Sequence, residues 1–171
     1  MQLHIRRAEP DDALGIATLH VRGWRAAYPG IVPEEVLAEL SIPDRAARWR
    51  DQLTGDPERQ RTFVAEHEDG VGGFVSLGPS RDPFAEPGAG EVYAIYVDPD
   101  LWGRGIGSSL LTRATDDLRA QGYASATLWV LAANEAGRRF YETHGWEADG
   151  STKSYSAGEA ELEEVRYRIE L

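Results

Sequence analysis

The sequence predicts an α/β domain in three layers, a mixed sheet with helices on both faces. Three observations predict it. Segments with period-two alternation and segments with an apolar stripe at helical spacing follow one another in the order β, several α, β-β-β, α, β, α, β-β. The apolar run 91–97 passes through a Pro-containing break and a set of alternating glycines into an amphipathic helix. A hydrophobic content of 42% over 171 residues, with no repeat, low-complexity tract or linker, is enough for one full core, so residues 1–171 read as a single domain.

The elements follow in order. Leu3 and Ile5 alternate with Gln2, His4 and Arg6 and read as a first strand. Pro10, Asp11 and Asp12 open a helix, since proline and acids suit a first turn. Its buried face is Ala13, Ile16, Ala17, Val21 and Trp24, and the stretch from Trp24 to Ile31 ends it. Pro33 begins a short helix carrying Val36, Leu37 and Leu40. Pro43 begins another with Ala46, Trp49 and Leu53 inward. Residues 62–66 and 72–77 form a hairpin around Glu68-Asp69-Gly70. A Pro- and Gly-rich loop over 79–90 leads to the central strand 91–97. The next helix presents Ile106, Leu110, Leu111, Ala114 and Leu118 on one face and stops at Gly122. A buried strand covers 126–131, Asn134 caps a helix ended by Gly145, and 146–153 pairs with 163–171 as a last hairpin.

Composition excludes several classes of function. Eighteen basic and 29 acidic side chains give a net charge of −11, which opposes non-specific nucleic-acid binding and suits either a cationic small substrate or simple solubility. With no cysteine there is no disulfide, thiolate metal site or acyl-cysteine chemistry. No apolar run approaches membrane-spanning length and no signal-peptide core follows the start, so no membrane partner and a cytoplasmic location are expected. His4, His20, His67 and His144 do not fall at metal-ligand spacing, so no metal site is expected. No Gly-x-Ser-x-Gly elbow is present.

Chemistry concentrates at Trp102-Gly103-Arg104-Gly105-Ile106-Gly107-Ser108. The first N–H groups of a helix have no intrahelical partner and sit at the positive end of its dipole. Glycines at 103, 105 and 107 let an anion approach the main chain, and Ser108 and Arg104 add a hydroxyl and a cation. A phosphate or pyrophosphate is the natural guest. A Walker A loop would need a lysine that is absent here. A dinucleotide fingerprint would need glycine where Ser108 stands, and an acid near Leu128 to Val130.

This loop resembles the acetyl-CoA pyrophosphate loop of the GCN5-related N-acetyltransferases, the GNAT superfamily, whose pattern is Arg/Gln-x-x-Gly-x-Gly/Ala after a strand ending in Val. Trp102 stands at the Arg/Gln position. A second segment, from Asn134 through Phe140-Tyr141 to Gly145-Trp146, is similar to the family's Asn-x-x-Ala-x-x-Phe-Tyr-x-x-x-Gly-Phe, with Gly137 in place of alanine. The two matches lie in the C-terminal half.

The resemblance implies a mostly antiparallel mixed sheet whose central strands, 91–97 and 126–131, splay apart to admit acetyl-CoA as cosubstrate. Ile95, Tyr96 and Val97 would line its arm, the main chain of Ile95 and Val97 pairing with it, with Asn134 and Gly137 nearby. Direct acetyl transfer to a primary amine is the implied reaction: a small amine, polyamine or amino-acid-like acceptor. The alternative is a CoA-binding sensor of the same fold without turnover. An amine must lose a proton before attack. Glu91 lies eleven residues before Trp102, the spacing of the glutamate base from this loop in histone-acetylating members of the family, so the resemblance makes it the expected base. Alternation puts Glu91 on one face with Tyr93, Ile95 and Val97. A backbone N–H at Val97 suits the developing oxyanion, and Tyr141 is the expected acid at the sulfur. The acceptor would be walled by Trp24 to Ile31, with Trp24, Tyr28 and Tyr93 as contacts, and by the loop before the central strand, made acidic by Asp82, Glu86 and Glu91. Dimers are common in the family, which leaves a homodimer as an open partner.

Overall fold

A computed structural model describes residues 2–171. Its elements are β1 (His4–Arg7), α1 (Ala13–Ala27), α2 (Glu34–Ala38), α3 (Ile42–Leu53), β2 (Arg61–His67), β3 (Gly70–Pro79), β4 (Ala89–Val97), α4 (Ile106–Ala120), β5 (Ser125–Leu131), α5 (Glu135–Thr143), β6 (Glu147–Ala157) and β7 (Ala160–Glu170). The strands form one sheet in the order β1-β2-β3-β4-β5-β7-β6. Every neighbouring pair is antiparallel except β4–β5. Several strand ends differ from the sequence reading, including those of the β2–β3 hairpin, which closes at His67 and Gly70. Strands β3 and β4 extend toward each other and shorten the Pro/Gly loop to 80–88, and the last hairpin reaches further in, to Ala157 and Ala160.

The helices start where local chemistry supplies caps. Ser41 Oγ accepts the Asp44 N–H at 3.2 Å at the head of α3, and Asn134 Oδ1 accepts the Gly137 N–H at 3.0 Å at the head of α5. Each apolar stripe then finds a sheet face. Ala13, Ile16, Ala17 and Leu19 of α1 and Trp49 of α3 pack on Val64 and Phe74 on one side. Ile106, Leu110, Leu111, Ala114 and Leu118 of α4 pack on Val75, Leu77, Val92 and Leu128 on the other. Truncating any of the fully buried leucines to alanine would cost about 2–5 kcal/mol. A third cluster joins Tyr28, Val32, Leu37, Leu131 and Ala157 at the end of α1. Arg61 of β2 reaches across to Asp117 of α4 at 2.6 Å in a largely buried ion pair.

Two irregularities make the centre of the sheet a site. Ser76 pairs with Ala94 but Leu77 pairs with Val92, so Tyr93 is the extra residue of a β-bulge. And β4 pairs with β5 only at Ala89, Gly90 and Glu91, beyond which the two strands separate. The bulge corrects the expected facing of the strand. Val92 joins Ile95 and Val97 against α4, while Ala94 and Tyr96 face α1, so Glu91 does not share the face of Ile95 and Val97.

Candidate active site

The glycine loop has the geometry of an anion cradle. Gly103 and Gly105 both have φ of 78°, a left-handed backbone that side chains with a Cβ resist. Nothing lies within 4 Å of a Cβ built on either residue, so backbone conformation, not crowding, asks for glycine there. Gly105 caps α4, and its carbonyl accepts from the Ser109 N–H at 3.1 Å. The N–H groups of Ile106, Gly107 and Ser108 therefore precede the first intrahelical bond and stay free for an anion. Gly107 is tight in a different way: a Cβ would sit 3.3 Å from the Phe140 ring. Ser108 Oγ bonds His144 Nε2 at 2.8 Å, and Arg104 is exposed and does not line the cavity below.

That cavity, about 750 Å³, fills the gap between β4 and β5. One end is lined by Trp102, Gly103, Gly105, Ile106, Gly107 and Ser108; Asn134, Gly137, Phe140 and Tyr141 follow. The edge of β4 is open along it. The Asp98 N–H donates to Gly72 O on β3, so by alternation Val97, and Ile95 before it, turn their own N–H and C=O toward the gap. Trp102 Nε1 donates to the Val97 carbonyl at 3.0 Å. A free strand edge leading to a cradle of N–H groups fits a linear acyl carrier ending in a pyrophosphate. Gly137 explains its departure from alanine: a Cβ there would meet the Asn134 amide at 2.5 Å and disrupt the cap.

The other end is aromatic. Trp24 Nε1 donates to the Tyr96 hydroxyl at 2.8 Å, and the Tyr28 hydroxyl lies 3.3 Å from it. His20 stacks on Tyr96 with ring centroids 4.9 Å apart. Burial, with Arg45 adding to it, holds the His20 pKa down to about 3, so the ring is neutral, and its Nδ1 is buried with no partner. Burial raises the Tyr96 and Tyr141 phenols, Tyr28 adding to both, so both stay protonated. Tyr93 lines the cavity, but its hydroxyl lies 2.5 Å from the Pro79 carbonyl, and burial pushes its pKa up to about 12.

The acidic wall is where the structure departs from expectation. Asp82 accepts from Trp129 Nε1 at 2.9 Å and pairs with Arg166 at 3.2 Å. Glu86 pairs with Arg168 at 3.0 Å. Glu91 is 4% exposed, accepts the Arg81 N–H at 2.9 Å and lies 3.7 Å from the Arg81 guanidinium. Its carboxyl does not line the cavity, and burial raises its pKa despite Arg81. All three acids are thus held by arginines. The carboxylate that does line the cavity is Glu164 of β7, which the sequence reading missed. Its signal was the alternation of β7: with Val165, Tyr167 and Ile169 turned to the α4 side, Glu164 must face the α1 side. Among the described residues no helix is long and apolar enough to cross a membrane, and no group of three or more acids and histidines is placed to hold a metal.

Comparison with known proteins agrees with this geometry. The sequence model of the Acetyltransferase (GNAT) family matches residues 18–146. The uncharacterized N-acetyltransferase YuaI of Bacillus subtilis (strain 168) is 35% identical over 132 residues, covering 76% of this chain and 72% of YuaI. The PaiA N-acetyltransferase of Thermoplasma acidophilum, solved in complex with coenzyme A, superposes with a TM-score of 0.74 at 18% identity over all of both chains. A ribosomal-protein-alanine N-acetyltransferase from Brucella melitensis gives 0.75 at 22% identity, over 98% of this chain and 99% of that one. At these identities the two structures speak for the fold. Free N–H groups behind two left-handed glycines, an open strand edge and a match across most of the chain lead to one assignment: this chain belongs to the GNAT family and is an acetyltransferase whose cosubstrate is acetyl-CoA.

Proposed function

We propose that this protein transfers an acetyl group directly from acetyl-CoA to a small primary amine, both bound at once. The observation that carries the proposal is the single cavity running from the glycine cradle, through the gap between β4 and β5, to an aromatic end that contains a carboxylate. When bound, acetyl-CoA supplies an acetyl group activated as a thioester. The N–H groups of Ile106, Gly107 and Ser108 hold its pyrophosphate, and the edge of Ile95 and Val97 pairs with its arm. The Val97 N–H points at the gap and stabilises negative charge developing on the acyl oxygen.

Tyr141 lines the same gap and makes no side-chain hydrogen bond among the described residues, so its hydroxyl is free to donate to the sulfur. A phenol raised by burial is always protonated, but full transfer to a thiolate of pKa about 8.5 is uphill. Its contribution is therefore donation of a hydrogen bond as charge builds, not delivery of a free proton. Glu91 receives the amine's proton through water, because its carboxyl is sealed against Arg81. Its raised pKa brings it nearer neutrality, where a base is most effective.

The test is thiol release from acetyl-CoA across an amine panel, with the acetylated product identified by mass. Release that depends on a primary amine supports the reading. Coenzyme A binding with no transfer to any amine, thiol or hydroxyl acceptor would make the protein a sensor.

A further inference from the structure

We propose that Glu164 is the group that selects the acceptor, pairing with its ammonium and excluding amines that carry a carboxylate beside the nitrogen. The inference rests on the acetyl-transfer reading above and narrows the acceptor to a carboxylate-free primary amine with an apolar body.

Glu164 sits on β7 opposite Leu131 of β5, at the end of the gap away from the glycine loop. It is the sole charged side chain among the described residues that line the cavity. Around it stand Tyr28 and Tyr155, and Trp24 and Trp129 complete the aromatic wall. Its carboxylate makes no ion pair or hydrogen bond with the described residues, whereas Asp82, Glu86 and Glu91 are all held by arginines. A half-buried carboxylate without a partner is costly, and burial raises its pKa accordingly even with Lys153 nearby. The cost is recovered when a cation enters.

The wall already accepts one. The Lys153 ammonium lies 4.3 Å from the Trp129 ring, and Lys153 pairs directly across from Glu164. Arg45 similarly lies 5.5 Å over Trp24. Neither cation lines the cavity, so an acceptor's carboxylate would find no partner inside and would face Glu164 instead. Aromatic faces and one anion therefore suit an ammonium on a flat or aliphatic body and penalise an amino acid.

Phenethylamine and phenylalanine differ only in the carboxylate and form the test pair. In the wild type, kcat/KM for phenethylamine should exceed that for phenylalanine by at least tenfold. Glu164→Gln should raise KM for phenethylamine about tenfold or more with little change in kcat, and should shrink the ratio between the two amines. Binding is read separately, by calorimetric titration of phenethylamine into the protein saturated with CoA. Weakening of at least tenfold in Glu164→Gln, with acetyl-CoA still raising Tm as in the wild type, supports the proposal even if no amine is turned over, in which case only the transfer reading fails. Equal binding of phenethylamine by both proteins, or equal use of the two amines by the wild type, overturns it.

Discussion

The glycine loop allows binding and folding to be separated by substitution. A residue with a Cβ at Gly105 must hold φ near 78° or relax out of it. Holding it costs about 1–2 kcal/mol. For a chain of this length each kcal/mol moves Tm by about 2–4 °C, so Gly105→Val should lower the Tm of the free protein by about 2–8 °C. Acetyl-CoA at a hundredfold excess over its Kd adds about 2.7 kcal/mol, roughly 5–11 °C in the wild type. In Gly105→Val the relaxing backbone turns the N–H groups of the first α4 turn, and the ligand shift should disappear. Gly107→Val should lose the shift by another route, since its added methyls meet Phe140, 3.3 Å from the Cβ itself. Gly150 is the control. It has φ of 88°, open space around a built Cβ, and does not line the cavity. Gly150→Val should therefore pay a similar backbone cost and keep the full ligand shift. Differential scanning calorimetry with and without acetyl-CoA reads all four proteins. Wild-type ligand shifts in both loop variants, or an equal loss in Gly150→Val, would refute the cradle.

Three further predictions address other parts of the molecule. Glu91→Gln should slow turnover most at low pH, where the amine is protonated, and recover at high pH; Tyr141→Phe should lower kcat by about 10²-fold across the profile and be rescued by a better-leaving thiol. Wild-type rates in either variant would remove that residue from the mechanism. Asp117→Ala leaves the Arg61 guanidinium buried without its partner and should cost about 3–5 kcal/mol in urea unfolding; a loss under 1 kcal/mol would mean that solvent reaches Arg61. His20 has a folded pKa of about 3 against 6.5 unfolded, so below pH 6.5 the unfolded chain takes up a proton that the folded one refuses. Its neutral-state contribution is present above pH 6.5 and is lost as pH falls toward 3. His20→Phe should reduce that slope of stability against pH, and an unaltered slope would place the titration elsewhere.

Much of the fold was legible because its signals are local. The α4 stripe, the Asn134 cap and the alternation of β7 each depend on a few neighbouring residues, and all three form as read. The glycine turn that opens α4 was legible for the same reason. What could not be read depends on pairing between distant segments. The bulge at Tyr93 exists only against Ser76 and Leu77, and it reassigned the face on which Glu91 was expected. The partners of Asp82 and Glu86 lie more than eighty residues away on β7, so a loop that looked acidic is largely neutralised. Glu164 looked like one more charge in the run Glu159 to Glu164, and only the gap on the far side of β5 gives it a cavity to face.

The bulge also determines what kinds of genetic change this strand tolerates. Strand β4 runs in one phase before Tyr93 and in the opposite phase after it, and its pairing with β5 ends just before that change, at Glu91. A point substitution leaves the phase intact. Deleting Tyr93 would leave Glu91 on the face of Ala94 and Tyr96 but would erase the bulge and the Tyr93 side chain's place in the cavity, and let the strand continue as a regular partner for β3. Inserting one residue anywhere from 94 to 97 would turn Ile95 or Val97 away from α4. This short segment is thus written in a reading frame of its own: it accepts variation in its letters and resists any change in their number.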